Sequence, residues 1–491
     1  MTQAIRNHTL LWLGRCANDN CIFDWFAAFF DICSFHSAAG DLIGAELALA
    51  RSRAILWQQH GEQLEAALDQ DLESTPPDLA ASMRGVMQDI ASGIGDVTRD
   101  EIMGALAWVS FIDSMFIGLG SKLLADSEER VMLARLRLAE HERLTSALQP
   151  WGLVIPKAAA GQQGAALARV CSALTHINLD AHCEISYQRV DEPGGGSLTQ
   201  GLVFGVIAAV QQETELEWSF FERDTQHLYE VRLPARSEAL VIDRVLGALD
   251  AMAGRAHLVL LPELIASPAL SNAIARWLAN TRNQGRMLPM LVLAGTQLAD
   301  DATSRTRNSA EVFSGDGSQC MTQYKLNPYT FKHLHRTGLR LPDAVPTINY
   351  VENISGSPHR VSILDITGLG RIVVTICEDT DRWRPWHELL IRAGPDICLA
   401  PIMNGRARVP GTDGPDSWAW IKESSIRIAN EAGSAVLAAN SGALLGAGPR
   451  LLGDYANAAF PLLGGNIQRV NLMDSGDSDH DGEPDWWLYG L

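Results

Sequence analysis

Apolar residues recur every three or four positions through the first part of the chain, which is the spacing of an amphipathic helix. The segment 38–73 keeps this spacing without an internal proline, and STPPDL at 74–79 ends it. Further stretches with the same spacing run over 80–93 and 99–147. The pattern predicts a mainly helical N-terminal domain over residues 1–190.

The pattern changes after DEPGGGSLTQ at 191–200, whose composition is typical of a linker. Short apolar runs then alternate with helical stretches; the runs are LVFGVIAAV, HLVLLPEL, MLVLAG, IVVTIC, ICLAPI and SAVLAAN. Strands that alternate with helices favour a layered α/β domain over a helical bundle. We therefore predict an α/β domain after the linker.

The composition is typical of a soluble globular protein, with 47% hydrophobic and 20% charged residues. A net charge of −19 argues against nonspecific nucleic-acid binding and against binding to anionic membranes. The N-terminus has no signal pattern and the eight cysteines include no CxxC pair, so we expect reduced thiols in the cytoplasm. The most membrane-like stretch, 102–125, has Asp113 in its middle. A buried helix is predicted there, and an intramembrane segment is the alternative.

Two groups of residues invite a metal interpretation, and neither is predicted to be a metal site. The first group consists of Cys16, Cys21, Cys33 and His36, and its spacing matches no standard zinc site. The second, DSDHDGEPD at 477–485, fits a calcium loop with Asp477, Asp479, Asp481 and Asp485 as oxygen ligands. An EF-hand needs Glu where this chain has Leu488, and a disordered acidic tail is the simpler interpretation.

A cysteine followed by acidic residues ends one of the apolar runs, in RIVVTICEDTDRW at 371–383. The β-branched run predicts a strand covered on both faces. Because Glu378 and Asp379 cannot stay unpaired in such an interior, the chain must reach a sheet edge at Cys377. Ligand and catalytic sites of α/β folds lie at such edges, although a buried structural cysteine is the alternative.

Glu263 and Lys325 stand at the ends of two other runs, HLVLLPEL and CMTQYK. Taken singly, each is consistent with a solvated side chain at a strand end. Together with Cys377 they provide what thiol catalysis needs: a carboxylate to take the thiol proton and an ammonium to hold the developing oxyanion. Lys332 is the alternative lysine.

The order PEL, YK and ICED resembles the Glu-Lys-Cys motif of the nitrilase, or carbon–nitrogen hydrolase, superfamily. VFGVIAAVQQE resembles the first strand of that family, NSAEVFSGDGSQCMTQYK its lysine-bearing hairpin, and LAPIMN and VLAANSGALLG its segments after the cysteine. The resemblance implies an α/β fold, a four-layer αββα sandwich, over residues 201–470. Residues 471–491 are then predicted to be an acidic C-terminal tail.

The resemblance also implies roles for single residues. Glu263 would be the general base, Lys325 would stabilise the tetrahedral intermediate, and Cys377 would be the nucleophile. The backbone N–H of Glu378 would complete the oxyanion hole.

Two further residues are expected to bind substrate, Asn404 and Glu352. Many amidases of the family have a second glutamate shortly after the lysine, and Glu352 is the candidate for it here. The segment 212–235 departs from the family as an insertion after the first strand.

Cys377-Glu378-Asp379 resembles the amidase branch more than the Cys-Trp-Glu of nitrile-cleaving members. The expectation is therefore an amidase-type hydrolase that cleaves a non-peptide amide of a small molecule through a cysteine thioester. No cofactor is expected, and the protein is expected to form a homo-oligomer. The alternative is a catalytically inactive member of the family that serves as a regulatory or interaction platform.

Overall fold

The computed structural model describes most of the chain and both of its compact units. The described residues are 2–18, 22–35, 46–70, 75–93, 98–114, 153–156, 171, 174–177, 183–190, 202–285, 288–300, 306–331, 348–366, 369–405, 419–445, 456–459, 471–475 and 486–490. One unit comprises Met1–Ala181 with Ile391–Gly394, and the other comprises His182–Leu390 with Pro395–Leu491.

The described part of the first unit is mainly helical. Its elements are α1 (Thr2–Asn18), α2 (Ile22–Phe35), α3 (Glu46–Gln70), α4 (Pro77–Ser92), α5 (Arg99–Ser114) and the antiparallel strands β1 (Leu153–Pro156) and β2 (Leu174–Ile177). Helix α4 begins at a proline, whose missing N–H is not needed in a first turn. Its buried residues Leu79, Met83, Met87 and Ile90 recur at helical spacing.

Helix α5 covers the first half of the stretch that suggested a membrane segment, and residues 115–125 lie outside the described residues. Its residues from Ala105 to Asp113 are buried without interruption. The Asp113 carboxylate accepts a hydrogen bond from the Leu174 N–H at 2.7 Å, which satisfies one of its oxygens inside the unit. None of the described helices is both long and apolar enough to cross a bilayer.

The second unit contains three sheets and four described helices. The helices are α6 (Ala235–Met252), α7 (Pro268–Asn283), α9 (Ala419–Ala432) and the first three residues of α8 (Glu388–Ala393), whose last three residues belong to the first unit. The strands are β3 (Glu184–Val190), β4 (Val203–Ile207), β5 (Glu217–Arg223), β6 (Gln226–Arg232), β7 (Leu258–Leu260), β8 (Leu291–Asp300), β9 (Thr306–Ser314), β10 (Gln319–Tyr324), β11 (Thr330–Phe331), β12 (Tyr350–Glu352), β13 (Arg360–Ile366), β14 (Gly370–Val374), β15 (Ile397–Ile402), β16 (Ala435–Asn440), β17 (Ala456–Ala459), β18 (Asn471–Ser475) and β19 (Trp486–Gly490).

The two large sheets pack face to face. The seven-stranded sheet has the order β10-β9-β8-β7-β4-β19-β18, and the six-stranded sheet has the order β17-β16-β15-β14-β13-β3. Leu258 and Leu260 of β7 share one apolar core with Ile372 and Val374 of β14. Because side chains alternate along a strand, Val259 faces the other way, into the core formed with α6 and α7. Helix α9 packs against β16 and β17 of the other sheet.

The third sheet is small and arises largely from the insertion predicted at 212–235. Strands β5 and β6 form an antiparallel hairpin in that segment, and the sheet order is β11-β12-β6-β5. Strand β12 pairs with β6 in parallel, so that Glu352 lies opposite Tyr229. The insertion is therefore built into the unit, and it supports the strand that carries Glu352.

Two predicted boundaries differ from the structure. Strand β3, assigned to the N-terminal helical domain, pairs along its whole length with β13 of the six-stranded sheet. The end of the predicted acidic tail forms β19, which pairs with β4 and buries Trp487. Both errors have one physical reason, because pairing between strands far apart in sequence leaves no local signal. The linker at 191–200 and the candidate calcium loop at 477–485 lie outside the described residues.

Candidate active site

Three segments that follow strands of the two large sheets supply the candidate site. Glu263 comes three residues after β7, Lys325 directly after β10, and Cys377 shortly after β14. Cys377 has φ +47° and Leu264 has φ +57°, a region that non-glycine residues rarely adopt. Such strained residues cluster at functional sites, where the surrounding structure holds them in place.

The structure brings Glu263, Lys325 and Cys377 together with Glu352. Lys325 Nζ donates hydrogen bonds to Glu263 Oε1 at 2.8 Å and to Glu352 Oε2. The Cys377 thiol lies close enough to Glu263 and Lys325 for both charges to act on its pKa, the carboxylate raising it and the ammonium lowering it. All four residues are buried, with at most 4% of any of them exposed. A buried ammonium–carboxylate contact thus lies near a buried thiol inside the unit.

Asn308 of β9 ties the two carboxylates together, and sequence reasoning missed it. Its Nδ2 donates to Glu263 Oε1 at 3.1 Å and to Glu352 Oε1 at 2.9 Å. Its backbone carbonyl accepts from the Lys325 N–H at 2.9 Å. The sequence has one signal that could have indicated Asn308. It places an amide at a buried position of β9, where the other buried residues are mostly small or apolar, and a buried amide needs hydrogen-bond partners.

Glu352 contacts the lysine and the chain that follows it. Its Oε2 also accepts from the Tyr329 N–H at 3.1 Å, and its own N–H donates to the Tyr329 carbonyl at 2.9 Å. The expectation gave Glu352 a substrate-binding role. In the structure both of its oxygens are already hydrogen-bonded within the protein, which suits a residue that orients Lys325.

The pKa shifts follow from burial and from the charges within this cluster. Burial raises the pKa of Glu263, and the Lys325 ammonium reverses only part of this effect. Burial lowers the pKa of Lys325, but the carboxylates of Glu263 and Glu352 outweigh it, so the lysine stays charged. Burial and the Glu263 charge raise the pKa of the Cys377 thiol, against the effects of Lys325 and the Met403 N–H. The resting cysteine is therefore a thiol beside a carboxylate with raised basicity.

Asp379 joins the segment after the cysteine to the segment after the lysine. It is fully buried in the 3₁₀ turn Cys377–Asp381. Its carboxylate accepts from the Asn327 N–H at 2.9 Å, from Asn327 Nδ2 at 2.8 Å and from the Leu326 N–H at 3.2 Å. Burial raises its pKa to about 7, although these three donors act in the opposite direction. Asp379 thus positions Cys377 relative to Lys325.

The remaining predicted residues have contacts of their own. The Glu378 side chain forms an ion pair with Arg382, one turn later. The Asn404 N–H donates to Asn440 Oδ1 at 2.7 Å, and Asn404 Oδ1 accepts from the Gly405 N–H at 2.9 Å. The first of these bonds joins the segment after β15 to the end of β16. The alternative lysine, Lys332, lies outside the described residues.

A cavity of about 440 Å³ lies beside the small sheet. Leu228 and Val351 are among its lining residues. These two residues alternate along β6 and β12 with Tyr229 and Glu352, so their side chains project from the opposite face of the sheet. Glu352 and Leu326, the neighbour of Lys325, also line the cavity, so it borders the segments that carry the candidate site.

Comparisons with known proteins give similarities only among solved structures. No family model and no curated protein matches the chain. An amidase from Nesterenkonia sp. is similar, with 13% identity over 61% of this chain and 93% of that chain and a TM-score of 0.34. Saccharomyces cerevisiae Nit3, a member of branch 10 of the nitrilase superfamily, has 16% identity over 59% of this chain and 90% of that chain, with a TM-score of 0.33. Nitrilase-superfamily proteins are thus among the structures that this chain resembles.

Proposed function

We propose that this chain is an amidase-type carbon–nitrogen hydrolase that cleaves a non-peptide amide through a thioester on Cys377. The observation that carries the proposal is the buried contact of Lys325 with Glu263 and Glu352, with the buried Cys377 thiol within the range of their charges. A nucleophile, a base and a cation for the oxyanion are the parts that acyl transfer requires.

Acylation begins with the thiol proton. Glu263 takes this proton as the Cys377 sulfur attacks the amide carbon, and the electron pair of the C=O bond moves to the oxygen. The raised pKa of Glu263 makes the carboxylate a better base. The Lys325 ammonium and the Glu378 N–H stabilise the oxyanion, and Lys325 keeps its protons throughout.

The intermediate then collapses, and water completes the reaction. The C=O bond reforms, the C–N bond breaks, and Glu263 gives its proton to the leaving nitrogen, which departs as ammonia or an amine. Water next attacks the thioester while Glu263 accepts one of its protons. The C–S bond breaks, the sulfur is reprotonated by Glu263, and a carboxylic acid leaves.

Glu352 and Asn308 act in this proposal through the residues that they hold. Two carboxylates on one ammonium fix Nζ in place, so that Lys325 stays charged in a fully buried setting. The shared Asn308 donor keeps two like charges side by side. Neither residue needs to touch the reacting atoms.

The proposal includes the fold that the resemblance implied, a four-layer αββα sandwich. The two large sheets supply the inner layers, since they share one apolar core. Helices α6 and α7 on one sheet, and α9 against the other, support the outer layers.

Ammonia release from a panel of small amides tests the proposal. The wild type should release ammonia from at least one amide, and Cys377→Ala should release none from it. Cys183→Ala is the matched control, because Cys183 is a partly exposed thiol of the same unit. Equal release by the wild type and Cys377→Ala, or no release by the wild type from any amide, would contradict the proposal and favour the non-catalytic alternative.

A further inference from the structure

The inserted hairpin places a tyrosine on the same face of the small sheet as Glu352. Tyr229 of β6 lies opposite Glu352 of β12 in the parallel register. Residues opposite one another on neighbouring strands project to the same face of a sheet. The Glu352 carboxylate in turn holds Lys325 Nζ, so this face of the small sheet is the one turned towards the candidate site.

The Tyr229 ring is held by other aromatic rings. The Phe331 ring meets it edge-on, with centroids 4.8 Å apart and an angle of 73° between the planes. The Trp218 ring stacks on it at 6.4 Å. Only 3% of Tyr229 is exposed. The position of the hydroxyl is therefore fixed by the packing of the ring.

The hydroxyl itself makes no hydrogen bond to another residue that the structure describes. Buried tyrosine hydroxyls normally have a partner. Burial raises the pKa of Tyr229, and the charges of Glu352, Glu263 and Cys377 raise it further. The phenol therefore stays protonated beside the nucleophile, where it can donate a hydrogen bond but cannot act as a base.

We propose that the Tyr229 hydroxyl donates a hydrogen bond to the carbonyl oxygen of the substrate amide and stabilises this oxygen as it becomes an oxyanion. The inference rests on the proposed function and adds a donor from the inserted hairpin to the Lys325 ammonium. The phenol proton stays on Tyr229 throughout, since Glu263 takes the thiol proton. The matching substrate is a carboxamide whose oxygen faces β6.

Tyr229→Phe tests the inference, because it removes the hydroxyl and keeps the ring against Phe331 and Trp218. The matched control is Tyr324→Phe on β10, whose ring lies under the Arg307 guanidinium. Alkylation of Cys377 is followed by peptide mass spectrometry with two reagents. Acrylamide develops negative charge on its carbonyl oxygen as the sulfur adds, whereas methyl methanethiosulfonate has no carbonyl.

Tyr229→Phe should lower the acrylamide rate by about 10-fold or more, because an oxyanion donor is lost. Its thiosulfonate rate and melting temperature should equal those of the wild type, and Tyr324→Phe should match the wild type with both reagents. An unchanged acrylamide rate in Tyr229→Phe would overturn the inference. An equal loss with both reagents would also overturn it, since this would reveal a packing role only.

Failure of the proposed function gives a different result. In that case the wild type would hydrolyse none of the amides, or Cys377→Ala would hydrolyse them as fast as the wild type, whatever the alkylation rates of the tyrosine variants. The two ideas are thus tested by separate measurements on the full chain.

Discussion

Lys325→Met should destabilise the second unit strongly, because it leaves two buried carboxylates without their cation. Lys325 Nζ lies 2.8 Å from Glu263 Oε1 and also contacts Glu352 Oε2. The side chains of all three residues are at most 2% exposed. Solvent cannot replace the lost ammonium, so the full cost of an unpaired buried charge is expected.

The expected loss is about 3–5 kcal/mol, the range found when one partner of a buried ion pair is removed. For a unit of this size it corresponds to a fall in Tm of roughly 6–15 °C. Lys422→Met is the control, since Lys422 is only partly buried on α9. The control should lose at most about 1 kcal/mol.

The pH dependence of the loss follows from the carboxylates. Burial already raises the pKa of Glu263, and losing Lys325 raises it further. A carboxyl with a raised folded-state pKa costs stability above that pKa, and the cost disappears as pH falls to its unfolded pKa. The deficit of Lys325→Met should therefore be smaller at pH 5 than at pH 8.

Thermal melts of the wild type, both lysine variants and Lys325→Met/Glu352→Gln complete the assay. The double variant should recover part of the loss, because one of the two unpaired charges is gone. A Lys325→Met deficit no larger than that of the Lys422 control would refute the reasoning. So would a deficit that is equal at pH 5 and pH 8.

Asn308→Ala should lower the free energy of unfolding by roughly 2–3 kcal/mol in thermal melts, because Glu263 loses a hydrogen-bond donor. The same loss should raise the pKa of Glu263 and move the acidic limb of the pH–turnover profile to higher pH. An unchanged limb would contradict this. Because burial raises the pKa of Asp379 to about 7, its contribution to stability falls as pH rises from about 4 to 7. Asp379→Asn should lose this part of the pH dependence of stability, as measured by thermal melts from pH 4 to 8. A stability profile identical to that of the wild type would contradict this prediction. In Glu263→Gln the alkylation rate of Cys377 should rise with pH and show no plateau near neutrality, because no base then takes the thiol proton. A plateau that persists in this variant would show that another base acts.

The local parts of the site could be predicted from the sequence, because each lies where an apolar run ends in a polar residue. That pattern marks Glu263, Lys325 and Cys377, and the structure brings these three side chains together.

The other parts of the site depend on pairing between distant segments. Asn308 reaches Glu263 only because β9 lies between β8 and β10. Tyr229 lies opposite Glu352 only because an inserted hairpin pairs with a strand more than a hundred residues later. Periodicity predicts the strands and not their neighbours, so it missed these contacts and the placement of β3 and β19.

The central claim is that Cys377 carries the acyl group of an amide substrate during turnover. Rapid quenching of the wild type with an amide that it hydrolyses, followed by peptide mass spectrometry, tests it most directly. The account predicts that the peptide containing Cys377 gains the mass of the acyl group less one hydrogen, and that Cys377→Ala gains none. Turnover with the acyl group on another residue, or undiminished turnover in Cys377→Ala, would contradict the account.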